Sequence, residues 1–287
     1  MLDDIFAKFD GAFAESTIKA YRSDLKQFNK WCLASGHAPL EISAAHLADY
    51  IGYMSERSAS ATIRRRIASI SSVLKLGGFP DPTGEPEVIL AMKRMHRRKG
   101  RAQRQAVPLT RNVLGSLLSV CGSDIRGMRD RVMLQVGYES MRRRNEICRF
   151  RFEDIEVLPN SRAGLRLNFS KADQYGTGKL VPISPELHQQ LQTWGEHIGP
   201  SGFLLRSVNK YGDVGDQLHP TSLSSRLQEL QRKAGLDLGG RLTGHSFRVG
   251  AALDLLDQGE PMERIMLRGG WSAEATVIRY LREWQAI

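Results

Sequence analysis

The chain has 287 residues, 41% of them hydrophobic, and a formal net charge of +10, so it has material for two ordinary cores and an excess of positive charge that points to a polyanionic partner, nucleic acid first. No apolar run approaches the roughly eighteen residues of a membrane span, and the opening MLDDIFAKFDG is acidic and too poor in apolar residues for a signal peptide; a cytoplasmic protein with no membrane partner is expected. Cys32, Cys121 and Cys148 are scattered and without metal-ligand spacing, which implies reduced, inert thiols and no metal site.

From Glu15, the spacing of Ile18, Tyr21, Leu25 and Phe28 keeps one helical face apolar until Gly36. A second helix is capped by Ser43 and buries Leu47, Ile51 and Met54. A third is capped by Ser60, turns Ile63, Ile67, Ile70 and Leu74 inward, and stops at Gly77 and Gly78. On its wheel Arg65 and Ser69 lie roughly opposite that stripe, beside Arg64 and Arg66. Pro80, Pro82 and Pro86 break the chain before a further helix over 87–97, with Val88, Met92 and Met95 as its apolar positions. Residues 1–98 thus read as a small all-helical domain. The run Lys93, Arg94, Arg97, Arg98, Lys99, Arg101 and Arg104 contains no acid, and 99–108 reads as a basic linker that either touches phosphate or is merely solvated.

The second domain, 109–287, opens with helical patterns over 113–120 and 131–149. Within YESMRRRNEICRFRFEDI the spacing puts Arg143 and Glu146 on one helical face, with Arg142 and Arg144 turned about 100° to either side. GLRLNFSK and GTGKLVPIS alternate around the loop ADQYG and form a β-hairpin; with FRFEDIEV they make a small three-stranded antiparallel sheet. Lys171 sits where the first hairpin strand enters the turn, and Lys179 follows after it. SLSSRLQELQRKAG is a helix by its Leu223, Leu227 and Leu230 spacing, closed by Gly235, and carries Arg226 on its polar side. The fold class is mainly α with that one small sheet.

The most informative stretch is LTGHSFRVGAALDLLDQGEPMERIMLRGGWSAEATVIRY. His245 and Arg248 share one face at the amino end of an apolar-periodic helix, where free N–H groups and the dipole favour a phosphate. Gly259 stops that helix, Pro261 starts another that ends at Gly269 and Gly270, Trp271 follows, and Ser272 is placed to cap a short helix ending in Tyr280.

Taken in order, GHSFRVGAA, GGW and the tyrosine nine positions after that tryptophan resemble the active site of the tyrosine recombinase (phage integrase) family, and its Cre-like members in having Trp where most have His. The resemblance implies a two-domain DNA clamp: a helical core-binding domain, a basic linker and a catalytic domain. It implies Arg143 as the first catalytic arginine, three before the orienting Glu146 and ahead of Asp154-Ile155; the chain reads Ser-Met-Arg-Arg-Arg where the common form is Gly-x-Arg, and Arg142 stays the alternative. It implies Lys171 as the general acid carried into the minor groove by the hairpin, with Lys179 as fallback, His245, Arg248 and Trp271 as phosphate ligands, and Tyr280 as the nucleophile. TIRRRIASI looks like a helix laid against a DNA groove, so Arg65, Arg66 and Ser69 are candidate DNA contacts, as are Arg97, Arg98, Lys99, Arg101 and Arg104 in and before the linker. Arg226 is the candidate for a base-edge contact, with phosphate or plain solvent as the other reading.

The chemistry so implied needs donors on the nonbridging oxygens, an in-line nucleophile and a proton for the leaving oxygen. Two arginine forks, His245 and the Trp271 N–H meet the first need, Tyr280 the second and Lys171 the third; no metal, ATP or other cofactor and no small-molecule substrate is called for. Whether His245 acts as base or as phosphate donor stays open. The expected activity is cutting and rejoining specific duplex DNA sites through a 3′-phosphotyrosine, as a homotetramer on paired sites. Topoisomerase IB-like relaxation and silent DNA binding on the same fold are the rivals. The seven residues LREWQAI after Tyr280 imply a reduced subunit contact and a monomer off DNA.

Overall fold

Apolar residues recurring every three or four positions build helices, and among its described residues the computed structural model is mainly helical with one small three-stranded sheet. It describes residues 2–101, 105–159, 162–168 and 178–281, with the backbone alone at residues 2, 3 and 280. The chain divides into two units, Met1–Arg104 and Gln105–Ile287.

The first unit comprises α1 (Leu2–Ala7), α2 (Glu15–Ala34), α3 (Ala44–Arg57), α4 (Ser60–Gly77) and α5 (Pro86–Lys99). Its core gathers the expected stripes, among them Leu25, Phe28, Leu47, Ile51, Ile63, Ile70 and Val88. Ser43 caps α3 by accepting the His46 N–H at 3.3 Å, and Gly78 closes α4 in the left-handed conformation, φ 77°. Two expectations fail in α4. Ser60 is its first helical residue, not its cap, and its hydroxyl pairs with His96 Nδ1 at 3.0 Å. Ser69 does not face outward. It is buried because the Asp24 carboxylate of α2, 1% exposed, takes its hydroxyl at 2.7 Å.

The second unit comprises α6 (Arg111–Ser119), α7 (Ile125–Ser140), α8 (Arg144–Ile147), β1 (Ile155–Val157), β2 (Ala163–Leu167), β3 (Lys179–Ile183), α9 (Pro185–Ile198), α10 (Pro220–Lys233), α11 (Ser246–Asp257), α12 (Met262–Gly269) and α13 (Glu274–Leu281). The strands pair antiparallel in the order β1-β2-β3, with Leu165 opposite Ile155 on one side and Val181 on the other. Helix α11 is buried along most of its length and packs on α6, α7, α12 and α13. It sits so close to the segment leading into α6 that a Cβ on Gly250 would lie 1.9 Å from the Leu109 carbonyl oxygen, which is why the GHSFRVGAA segment needs glycine there. The three thiols are buried and unpaired, and burial pushes them up to about 11 at Cys32 and Cys121 and about 12 at Cys148. Among the described residues no helix is long and apolar enough to cross a membrane.

Candidate active site and DNA-binding residues

The pattern over 131–149 predicts one continuous helix; the chain instead breaks it at Met141. Helix α7 ends at Ser140, Met141 takes φ 52° and ψ 27°, and the chain re-enters a helix only at Arg144. Among the described residues Met141 is the single non-glycine with positive φ, a conformation that costs roughly 1–2 kcal/mol for a side-chain-bearing residue. It stands where the Gly-x-Arg form has its glycine, and the backbone there explains the glycine of that form. The break makes Arg143 the N-cap of α8, and Glu146 serves it twice, accepting its main-chain N–H at 3.1 Å and its guanidinium at 3.0 Å. Arg143 keeps 36% of its side chain exposed, whereas Glu146 keeps 8%. Arg142, by contrast, is buried, with its guanidinium on the main-chain carbonyls of Ser140, at 2.9 Å, and Arg268. Of the two arginines left open, Arg143 has a guanidinium oriented by a carboxylate that still reaches solvent, and Arg142 one turned onto main-chain carbonyls.

Arg248, 1% exposed, is the hub. From the first turn of α11 its guanidinium donates to the Met141 carbonyl at 2.6 Å and the Gly269 carbonyl at 2.9 Å, and its centre lies 4.3 Å from the Trp271 ring centroid. One side chain thereby ties the turn before Arg143 to the turn before Trp271. The GGW spacing follows from packing: a Cβ on Gly269 would lie 1.8 Å from the Trp271 ring, and Gly270 sits at φ 68° with Arg142 Nη1 2.4 Å from where its Cβ would be. His245 is the N-cap of α11, beside Arg248 and Arg143; burial first, then those two charges, push its imidazole down to about 4, so it is neutral at pH 7.

Tyr280 belongs to α13, which begins at Glu274, two residues past Ser272. Val277 and Leu281 of that helix are buried in one cluster with Trp271, Val249 and Ile265. Lys171 and Arg104 lie outside the described residues, as do residues 282–287. Lys179, the first residue of β3, donates to the Leu267 carbonyl, and burial followed by the Arg142 charge holds its amine below the ordinary lysine range.

The candidate DNA contacts divide. Arg65 is exposed on α4 and, with Arg66, is gathered by Asp24, the latter at 3.6 Å. Arg97 and Arg101 are exposed, Arg98 pairs with Glu56 at 2.6 Å, and Lys99, the last residue of α5, donates to the Ser55 carbonyl of α3 at 2.9 Å. Arg226 does not point outward as its place on the wheel suggests. Its side chain is 13% exposed and turned into the domain, on Asp130 at 2.5 Å and on Glu229, because the Asp130 carboxylate is 2% exposed and needs cations beyond Arg129. Sequence reasoning missed Asp24, although the signal was there: it falls between Tyr21 and Phe28 on the apolar stripe of α2, where a carboxylate must be partnered.

Residues 108–286 match the model of the phage integrase family, and residues 8–76 match that of the phage integrase N-terminal SAM-like domain. The chain belongs to the phage integrase family of tyrosine recombinases. It is 27% identical over 285 residues to an integrase/recombinase xerD homolog of Selenomonas ruminantium, covering 94% of this chain and 82% of that one. It is 26% identical over 291 residues to the recombinase cre of Escherichia phage P1, covering 94% and 85%. In fold it matches the integrase of transposon Tn1549 in complex with transposon right end DNA, at TM-score 0.70 and 14% identity over 97% of this chain and 94% of that one. A lambda integrase dimer bound to a core site matches at 0.67 and 16%, over 97% and 93%.

Proposed function

We propose that this protein is a site-specific recombinase that cuts and rejoins duplex DNA through a 3′-phosphotyrosine on Tyr280, acting as a tetramer on paired sites. The observation that carries the reading is the convergence on Arg248: one buried guanidinium binds together the turn holding Arg143, the turn holding Trp271 and the helix start holding His245. In this reading Arg143 and Arg248 neutralise the charge that builds on the nonbridging oxygens, and the Trp271 indole N–H donates to one of them. Neutral His245 is ready to take the Tyr280 proton or to donate to the phosphate. Lys171 supplies the proton of the departing 5′ oxygen, and the phosphotyrosine keeps the diester's energy for a second DNA end. Assembly as a tetramer is supported by the shared fold with lambda integrase, one structure of which is a tetramer bound to a Holliday junction, at TM-score 0.64 and 17% identity over 95% of this chain and 76% of that one.

The test is incubation with DNA of the protein's own replicon, sequencing of the covalently trapped ends, and then a nicked suicide substrate built on the site found. Tyr280→Phe is expected to bind this substrate with unchanged affinity and form no covalent adduct; an adduct in that variant removes Tyr280 as nucleophile. Lys171→Ala is expected to lose cleavage and to regain it on a 5′-bridging phosphorothiolate, whose leaving group needs no proton.

A further inference from the structure

Helix α12 is the element directly before Trp271, yet it buries only Ile265 and Gly269 among its residues. Met262 and Met266 pack with Ile265 on the apolar cluster that holds Trp271, and polar groups hold the last turn of the helix. Its last carbonyls carry the negative end of the helix dipole; that of Leu267 accepts the Gly270 N–H at 3.3 Å and, like those of Arg268 and Gly269, has a lone pair open to a side-chain donor. Basic side chains from separate elements meet them in succession: Lys179 of β3 on Leu267, Arg142 of the turn between α7 and α8 on Arg268, and Arg248 of α11 on Gly269.

We propose that Lys179 and Arg142 are positioning residues that clamp the last turn of α12, set the Trp271 indole, and tie the hairpin's return strand to it. The proposal rests on the reading that Trp271 and the hairpin serve one phosphate. The Lys179 amine donates to a carbonyl and sits by the Arg142 guanidinium. It joins β3, whose first residue pairs with Leu167 at the described end of β2, to the helix that delivers Trp271. Arg142 cannot be displaced by a side chain at the next position, since Gly270 leaves the room it fills.

The test uses Lys179→Met, Lys179→Arg and Arg142→Lys in the full chain. The Trp271 indole N–H resonance is read in the DNA-free protein and assigned with Trp271→Phe; single-turnover cleavage is read on the nicked substrate. Lys179→Met is expected to shift the indole resonance and slow cleavage about tenfold at unchanged DNA affinity, with no restoration by a 5′-bridging phosphorothiolate. Lys179→Arg, which keeps a long cationic donor, is expected to restore both, and Arg142→Lys, which loses the fork to two carbonyls, to shift the same resonance. An unmoved resonance in Lys179→Met overturns the proposal. So does phosphorothiolate rescue of Lys179→Met, which would make Lys179 the acid. If the wild type forms no adduct, the recombinase reading has failed, and the indole resonance alone decides the clamp.

Discussion

At the residue scale two side chains are held against their own preferences. His245 is neutral because burial and two arginines hold it down near 4, against an ordinary value of 6.5. The unfolded chain therefore takes up a proton more readily than the folded one as pH falls from about 6.5 through about 4, and stability present above that window is lost across it. His245→Gln is expected to lose less stability between pH 7 and pH 4 than the wild type, measured by urea unfolding at each pH; equal losses would mean the imidazole is not held neutral. Met141 presents the opposite balance. Glycine there would relieve roughly 1–2 kcal/mol of left-handed strain, but the Met141 side chain is 1% exposed, and deleting a buried methionine side chain costs roughly 2–5 kcal/mol. On central values packing wins, so Met141→Gly is expected to be less stable by about 2 kcal/mol, and a stabilised variant would show that strain dominates.

At the element scale, helices α2 to α5 and the hairpin were legible because burial imposes a period on apolar residues, and that period is written in Leu25 and Phe28 or in Leu165 and Leu167. The break at Met141 was not, since no glycine or proline marks it; the carbonyl that Arg248 holds is a contact between residues far apart in the chain. The same holds for Ser69 and Arg226, which look like outward polar positions on a wheel and turn inward to Asp24 and Asp130. A helical wheel reports the angle of a side chain, not which buried carboxylate lies beneath it. Arg226 thereby locks α10 to α7. Arg226→Ala is expected to destabilise the DNA-free protein by roughly 3 kcal/mol, as breaking one partner of a buried pair does. A variant of unchanged stability that altered sequence preference would restore the base-contact reading.

At the scale of the whole molecule the charge of +10 is the dominant fact, and the structure sorts the cations that make it. Arg65 shares Asp24, Arg98 shares Glu56, and Lys99 donates to the Ser55 carbonyl of α3, while Arg97 and Arg101 stand exposed near the end of the first unit. Phosphate binding releases counterions in proportion to the cations that engage, so each lost contact lowers the slope of log affinity against log salt by roughly 0.9. Replacing Arg97 and Arg101 together by Gln is expected to flatten that slope by roughly 1.8 and to weaken cognate and unrelated duplex alike, because a phosphate contact carries no sequence information. Replacing Arg98 and Lys99 should flatten it less, since both already have partners within the fold. The measurement is fluorescence anisotropy of a labelled duplex over a range of salt concentrations; an unchanged slope in the Arg97 and Arg101 double variant would mean that this basic run is solvated and that the charge engaging DNA lies elsewhere on the chain.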